Sequence, residues 1–426
     1  MRLQRRLLAV SLATLFASLA CATLTNLAQQ LPLIGATATP VPTAIAVSPE
    51  DQQRQQEILE AIAAAVREQY VREDLDGVDW EAAVQQARQK IEGGVSEEGF
   101  AQAMRDLTAA LPRGNADYET RAERIEAETR ATDTYQGIGV YFGFRETPEA
   151  RVIVLSVIQD SPAQAAGLLP HDSIYAVDGE PIKAEERRTI QNRIRGLADS
   201  PVTLTVQTPG QQRREVTITR GQITSGDPLR GGLLGTSGLL YYRIPVAAPS
   251  DMADLIAQDL TEKANAQTLS GVILDLRVAS SNVNWPLEQM LALFGDGPLG
   301  AVYTRQASQP LEVLGVDAGG SQDLPLVILI GPDTRGVPEV FASFLQAAGR
   351  ATLLGLPTPG EIDILSSIAL PDGSRLALAT TSFKLPDGAD PALTGVSPDQ
   401  RVDSDWDTHD EDTDPARDAA IEALSK

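Results

Sequence analysis

Apolar residues recur at helical spacing early in the chain, at strand spacing in its middle, and in alternating blocks towards its end. Ile58, Leu59, Ile62, Val66 and Tyr70 share one helical face. That helix opens at Ser48-Pro-Glu-Asp, an N-capping serine followed by proline and acids in the first turn. Two further helices are predicted, at Trp80–Ile91 and Ser96–Leu111, parted by Gly93-Gly94. From Tyr135 short strand-type runs take over: Ile138–Phe144, Val152–Val157, Ser173–Val177, Val202–Gln207 and Glu215–Thr219. Helical pieces interrupt them at Pro162–Ala166 and Ala184–Arg195. After a Gly-rich junction at Gly231–Gly238, buried strands are expected at Leu239–Ile244, Gly271–Leu276, Leu326–Ile330 and Ala351–Leu354. Helices at Met252–Lys263, Leu287–Phe294 and Pro338–Ala348 lie between them, which is an α/β pattern. The fold class expected is multidomain α+β.

The first residues address the chain to export. Arg2, Arg5 and Arg6 precede a fourteen-residue apolar run, Leu7–Ala20, too short to span a bilayer and suited to a secretory signal. It ends at Ser-Leu-Ala-Cys, and Cys21 is the only cysteine, so no disulfide can form within one molecule. The placement resembles a bacterial lipoprotein signal, which implies cleavage after Ala20 and a lipid on Cys21. An ordinary signal cut nearby, with Cys21 incidental, is the alternative. Ala22–Val47, rich in Ala, Thr and Pro, reads as a tether. Lys+Arg 35 against Asp+Glu 58 gives a net charge of −23, which argues against a nucleic-acid partner. An oligomer is compatible with the sequence.

Gly137-Ile-Gly-Val140, then Val152–Val157, Ser161-Pro-Ala-Gln-Ala-Ala-Gly-Leu168 and Asp172-Ser-Ile-Tyr-Ala-Val-Asp-Gly179 together resemble a PDZ domain. A Gly-x-Gly-apolar turn bares successive backbone N–H groups, and the strand after it offers an edge to an added peptide strand. The resemblance implies that Gly137, Ile138, Gly139 and Val140 bind a peptide's terminal carboxylate. His171 stands where the family often has glycine and is expected to be a surface turn residue.

The C-terminal half resembles the catalytic domain of the C-terminal processing (tail-specific) serine proteases. Leu239-Leu-Tyr-Tyr-Arg-Ile244, Gly271-Val-Ile-Leu-Asp-Leu-Arg277, Gly349-Arg-Ala-Thr-Leu-Leu-Gly355 and Gly395-Val-Ser-Pro-Asp399 carry the likeness. The fold implied is the crotonase/ClpP-like spiral. The family's serine nucleophile sits three residues before a glutamate that aligns with Glu339, hence at Gly336. Its lysine base, twenty-five residues on, falls on Glu361, and the glutamine four beyond falls on Leu365. A lysine can take a proton only when desolvation lowers its pKa, and a serine without such a base is inert. Glycine and glutamate do neither job. Where the family has Gly-Asn-Pro-Gly-Gly to supply oxyanion N–H groups, this chain reads Val278-Ala-Ser-Ser-Asn282.

No catalytic residue is therefore expected intact. The stand-ins the chain offers are Thr334 and Ser343, the lysines Lys90, Lys183, Lys263, Lys384 and Lys426, and a triad drawing on His171 or His409. None occupies the dyad's place. Asp403-Ser-Asp-Trp-Asp-Thr-His-Asp-Glu-Asp-Thr-Asp414 alternates acids as a calcium loop does, but Thr408 stands where the turn wants glycine. A solvated loop before a last helix, Ala416–Leu424, is the reading taken; no metal and no cofactor are expected. The expected organisation is a signal over 1–21, a tether over 22–47, a helical domain over 48–130, a PDZ domain over 131–222 and a protease-type domain over 235–426. The resemblance implies an extracytoplasmic, membrane-anchored protein that binds peptide or protein C-termini. An active serine endopeptidase with a rearranged site and a purely structural subunit are the alternatives.

Overall fold

The computed structural model describes residues 48–125, 136–187, 189–224, 226–280 and 285–425. The signal, Cys21 and the tether lie outside them.

Helices α1 (Pro49–Gln69), α2 (Trp80–Glu92) and α3 (Glu97–Thr108) lead the described chain. Ser48, Asp79 and Ser96 cap them, each accepting a hydrogen bond from a first-turn N–H. Such a cap satisfies one of the donors that a helix start leaves over. Strand β1 (Ala116–Glu119) follows. The middle of the chain supplies β2 (Gln136–Gly137), β3 (Val140–Arg145), β4 (Arg151–Val157), α4 (Pro162–Ala165), β5 (Ser173–Val177) and β6 (Glu180–Pro181). Helix α5 (Ile190–Ile194) and strands β7 (Pro201–Gln207), β8 (Arg214–Thr219) and β9 (Gly221–Gln222) complete it. The sheet order is β3-β4-β5-β7-β8, with β6 beside β5 and a separate β2–β9 pair. Ile138, Val152, Val154, Ile174, Ile190, Leu204 and Ile218 belong to one buried cluster drawn only from this segment.

Two sequence expectations differ here. The strand expected over Ile138–Phe144 breaks at Gly139, whose φ is 82° and whose position a Cβ would share with the Ser161 side chain, 2.3 Å away. The helix expected over Ala184–Arg195 divides into a 3-10 turn at Ala184–Glu186 and the short α5. The Glu186 carboxylate is spent on the Lys183 N–H and on Arg193 rather than on extending a helix.

The last part contains β10 (Arg230–Leu233), β11 (Leu239–Arg243), α6 (Met252–Ala266), β12 (Gly271–Asp275), α7 (Leu287–Phe294), β13 (Gly297–Thr304) and β14 (Ser308–Val313). Then come β15 (Leu326–Ile330), α8 (Val337–Ala347), β16 (Thr352–Gly355), β17 (Ile364–Ala369), β18 (Arg375–Lys384), β19 (Gln400–Arg401) and α9 (Pro415–Leu424). Strands β11, β12, β15 and β16 run parallel in a sheet ordered β10-β11-β12-β15-β16-β19. Leu240, Val272, Leu274, Ile328 and Ile330 join the same buried cluster as residues of α6, α7 and α8. Ile273, Val327 and Leu329 turn the other way, to Ala416 and Ala420 of α9. Both faces are covered, which is why these strands read as unbroken apolar runs.

A second sheet, β1-β18-β13-β14 with β17 beside β18, was not foreseen. It closes over the leading helices: Tyr303, Leu376, Leu378 and Ala379 lie in one cluster with Ile58, Ile62, Trp80, Ile91 and Met104. The helical unit thus shares its core with the C-terminal half.

Candidate functional site

The turn from β15 into α8 runs Gly331-Pro-Asp-Thr-Arg-Gly336. Thr334 is fully buried; its hydroxyl donates to the Leu276 carbonyl and accepts from the Gly331 N–H. At the turn's apex Gly336 adopts φ 71° and ψ −128°, a conformation that side-chain-bearing residues hold only under strain. A sharp strand-to-helix turn with a strained apex is the form of a nucleophile elbow. Here the apex carries no side chain.

One carboxylate organises what surrounds it. Glu339, fully buried in the first turn of α8, accepts from the N–H of Gly336 and the N–H of Glu361 on Oε1, each at 2.9 Å. Its Oε2 takes the Gly360 N–H at 2.7 Å and the Thr358 hydroxyl at 2.5 Å. Burial pushes the carboxyl above its ordinary value, against the four hydrogen bonds that favour its charged form. Gly336 and Glu361 are thereby brought together through their backbones. The Glu361 side chain turns outward, where Arg335 Nη1 lies 2.6 Å from its Oε1 and Arg187 Nη2 lies 3.9 Å away. Leu365 is elsewhere, exposed on β17.

Two further stand-ins are occupied. Ser343 is buried in α8 and donates to the Val340 carbonyl. Lys384 sits on β18 over the Tyr303 ring. Of the oxyanion segment, the structure describes residues 278–280: the Ser280 N–H donates to the Val246 carbonyl, and the Ala279 carbonyl accepts from the Arg335 N–H. Residues 281–284 lie outside the description.

Beside the elbow, at Pro332 and Arg335, opens a cleft of about 340 Å³ whose walls include Phe144, Arg145, Arg187 and Thr358. Its arginines come from both sides of the middle and C-terminal segments. Arg145 holds Asp333 with both terminal nitrogens, at 3.2 and 2.6 Å, and Asp405 at 3.0 and 2.7 Å. These residues were missed in the sequence because their partners lie 188 and 260 positions away.

The peptide-binding expectation falls on a second groove, of about 470 Å³. Strand β3 pairs with β4 and ends its sheet, so its outer edge faces this groove. Val140, Phe142, Ile158 and Ile223 give an apolar floor, and Gln191 and Arg195 stand on the rim. Ile138 and Val140 are buried, with the positive-φ Gly139 between them. Gly137 pairs with Gly221 in the β2–β9 ladder. A third cleft, about 530 Å³, shares Phe142 and Gln191 with the groove and reaches Leu365, Asp117 and Ala377.

Two expectations are corrected. His171 is no surface residue: it is 2% exposed, with its ring stacked 4.1 Å from that of Trp406. The acidic loop is solvated only in part: Asp403, Thr408 and Asp410–Thr413 are exposed, but several of its acids are paired. Asp405 pairs with Arg145, Asp407 with Arg151, Glu411 with Arg243 and Asp414 with Arg277. Among the described residues no group of three or more His, Cys, Asp or Glu is arranged to hold a metal ion, and no helix is long and apolar enough to cross a membrane.

Residues 241–402 match the peptidase family S41, and residues 153–208 match the PDZ domain. A carboxy-terminal-processing protease of Bartonella bacilliformis is 28% identical over 266 residues, 60% of either chain. A carboxyl-terminal-processing protease of a Synechocystis species is 28% identical over 298 residues, 68% of this chain and 67% of the relative. The chain thus spans about 60% of the first relative's length and two thirds of the second's. Among solved structures, the photosystem II D1 C-terminal processing protease aligns at a TM-score of 0.62 and 25% identity, over 84% of this chain and 94% of its own. Mature CPAF aligns at 0.52 and 12% identity over 88% of this chain, a likeness of fold alone.

Proposed function

For a chain that belongs to the C-terminal processing protease family and carries its PDZ domain, we propose that peptide capture is kept and peptide cleavage is lost. The observation that carries this reading is the elbow apex, where Gly336 offers no hydroxyl while Glu361, beside it, carries an anion bonded to Arg335. Glycine has no group with which to attack a carbonyl, and the Glu361 carboxylate is held by Arg335 instead of standing, as a desolvated lysine would, ready to take a serine's proton. Thr334 and Ser343, the nearest hydroxyls in sequence, are buried and hydrogen-bonded to carbonyls.

The binding half rests on the β3 edge. An extended C-terminal tail adds there as a further strand, with its carboxylate at the Gly137–Val140 turn. Its last side chain lies on the floor of Val140, Ile158 and Ile223, which favours an apolar residue. The partner class is therefore proteins or peptides with apolar C-termini. Together with the lipoprotein-type leader ending at Cys21, the reading is of a lipid-anchored extracytoplasmic binding protein, a pseudoprotease.

Incubating the mature protein with a fluorescent peptide ending in apolar residues tests both halves. Saturable binding without cleavage is expected, and amidation of the peptide's terminal carboxylate should abolish it. Cleavage that a serine-directed reagent blocks would overturn the reading in favour of a rearranged enzyme. Failure to bind any such tail would leave a structural subunit. Palmitate labelling in a bacterial host, lost in Cys21→Ala, tests the anchor separately.

A further inference from the structure

We propose that the acidic loop 403–414 is a pH-sensitive latch holding the PDZ domain against the protease-type domain, with the His171–His409 pair as its sensor. The inference stands on the interface alone and holds whether or not tails bind.

The loop is the seam between the two domains. Trp406, 3% exposed, packs in one cluster with Ile153 and Leu155 of β4 and with Val278 beyond β12. Its indole N–H donates to the Val154 carbonyl at 3.2 Å. On either side, Asp405 takes Arg145, and Asp407 takes Arg151 at 2.6 Å and the Ser173 hydroxyl at 2.9 Å. His171, from the turn before β5, completes the grip by stacking on Trp406.

Two imidazoles therefore meet inside this seam, their centroids 4.7 Å apart. His171 Nδ1 lies 2.6 Å from the Trp406 carbonyl, so Nδ1 carries the hydrogen and the neutral ring leaves Nε2 bare. His409 Nδ1 lies 3.2 Å from the Asp410 carbonyl, with the same consequence. Both Nε2 atoms are buried and without a hydrogen-bond partner. The charged groups facing the pair are Glu411, 3.7 Å from His171 Nε2 and bonded to Arg243, together with Asp410, Asp414 and Arg277. From the PDZ side come Arg151 with Asp407, and Asp172 bonded to Arg214.

This arrangement resists a proton on His409. Its buried Nε2 finds no hydrogen-bond acceptor, and a second positive charge there would add to that of Arg277 in a site shielded from water. Burial lowers His409 below its ordinary 6.5; His171 and Arg277 lower it further, against Asp414, which raises it. The docked form thus binds this proton less readily than the released form does. Docking is complete above pH ~6.5 and weakens as pH falls below it, by up to tenfold per pH unit for one proton.

Acrylamide quenching of the full chain between pH 8 and 5 tests this. All three tryptophans, Trp80, Trp285 and Trp406, are buried at neutral pH. The quenchable part of the emission should rise as pH drops below ~6.5. The rise should vanish in Trp406→Phe, which identifies its source, and in His409→Gln, which removes the second charge. Should His409→Gln fail to fold, His409→Phe serves in its place. No rise in the wild type, or a rise that persists in either variant, overturns the proposal.

Discussion

The N–H of Glu361 donates to Glu339 Oε1 at 2.9 Å, and the same oxygen accepts from Gly336. The loop that follows β16 is thus tied to the start of α8 by one buried carboxylate, and the geometry of the elbow depends on it. Gly360 and Gly395 make the tie feasible: a Cβ on Gly360 would lie 2.9 Å from the Gly395 nitrogen, and one on Gly395 would lie 2.2 Å from the Thr358 carbonyl.

Gly336→Ala should cost about 1–3 kcal/mol, because any Cβ at φ 71°, ψ −128° is strained. Thermal denaturation measures it. A Tm equal to the wild type would mean that the turn relaxes and that the apex is not held in the strained form. Gly336→Ser should fall by a similar amount, and without a base it should cleave no tail peptide.

Phe142→Ala should weaken tail binding about tenfold, roughly 1.4 kcal/mol, while leaving the fold intact. Phe142 is only half-buried and lines both the groove and the adjoining cleft. Fluorescence anisotropy with the labelled tail gives the ratio directly. Unchanged affinity would show that tails do not lie along β3.

Arg145→Ala should be among the more damaging single changes, at about 3–5 kcal/mol, since it leaves Asp333 buried without its bidentate partner. Asp333 has 2% side-chain exposure, and a Cβ on Gly143 would sit 2.5 Å from its Oδ1, so no replacement side chain can approach from β3. Chemical denaturation should show the loss, and the double change Arg145→Ala with Asp333→Ala should recover part of it.

Below the histidine range, the latch should weaken again as its carboxylates protonate. Burial would raise Asp405, but the Arg145 hydrogen bonds and charge hold it below its ordinary 3.8. Burial would likewise raise Glu411, yet His171 and Arg243 hold it at about 2, against an ordinary 4.5. Folded values lower than unfolded ones give stability that is present above the unfolded pKa and lost as pH falls through the folded one. Tm should therefore drop between about pH 4.5 and 2, and Asp405→Asn, lower at neutral pH, should show a shallower drop.

The parallel strands and the PDZ strands were legible because their apolar runs and turn residues are local signals. The seam was not. His171 looks like any turn residue until Trp406, 235 positions on, is laid against it. Asp405 and Asp407 alternate as calcium ligands do, and only the arrival of Arg145 and Arg151 from another domain explains them. The second sheet was missed for a related reason. Strand β17, Ile-Leu-Ser-Ser-Ile-Ala, is mostly exposed and so lacks the burial alternation by which strands are recognised. The elbow was legible as an alignment of residue types, whereas the Glu339 tie runs to backbone N–H groups 21 and 22 positions away, which residue types do not reveal.

Cooperativity follows from where the cores lie. Arg72, in the loop after α1, bonds Asp76, Asp363, Asp390 and the Tyr303 hydroxyl, and all three carboxylates are nearly inaccessible. Asp363, Asp390 and Tyr303 belong to the C-terminal half, so one guanidinium ties together acids from both ends of the chain, with Arg113 as a second cation on Asp76. Arg72→Met should strand these charges and cost about 3–5 kcal/mol. The apolar contacts point the same way, since Tyr303, Leu376 and Leu378 complete the core of the leading helices. A fragment holding residues 48–125 alone should therefore remain largely unfolded by circular dichroism. A fragment of residues 136–224 keeps its whole buried cluster and should fold independently with a cooperative melt. If the helical fragment folds and the PDZ fragment does not, the division of cores described here is wrong.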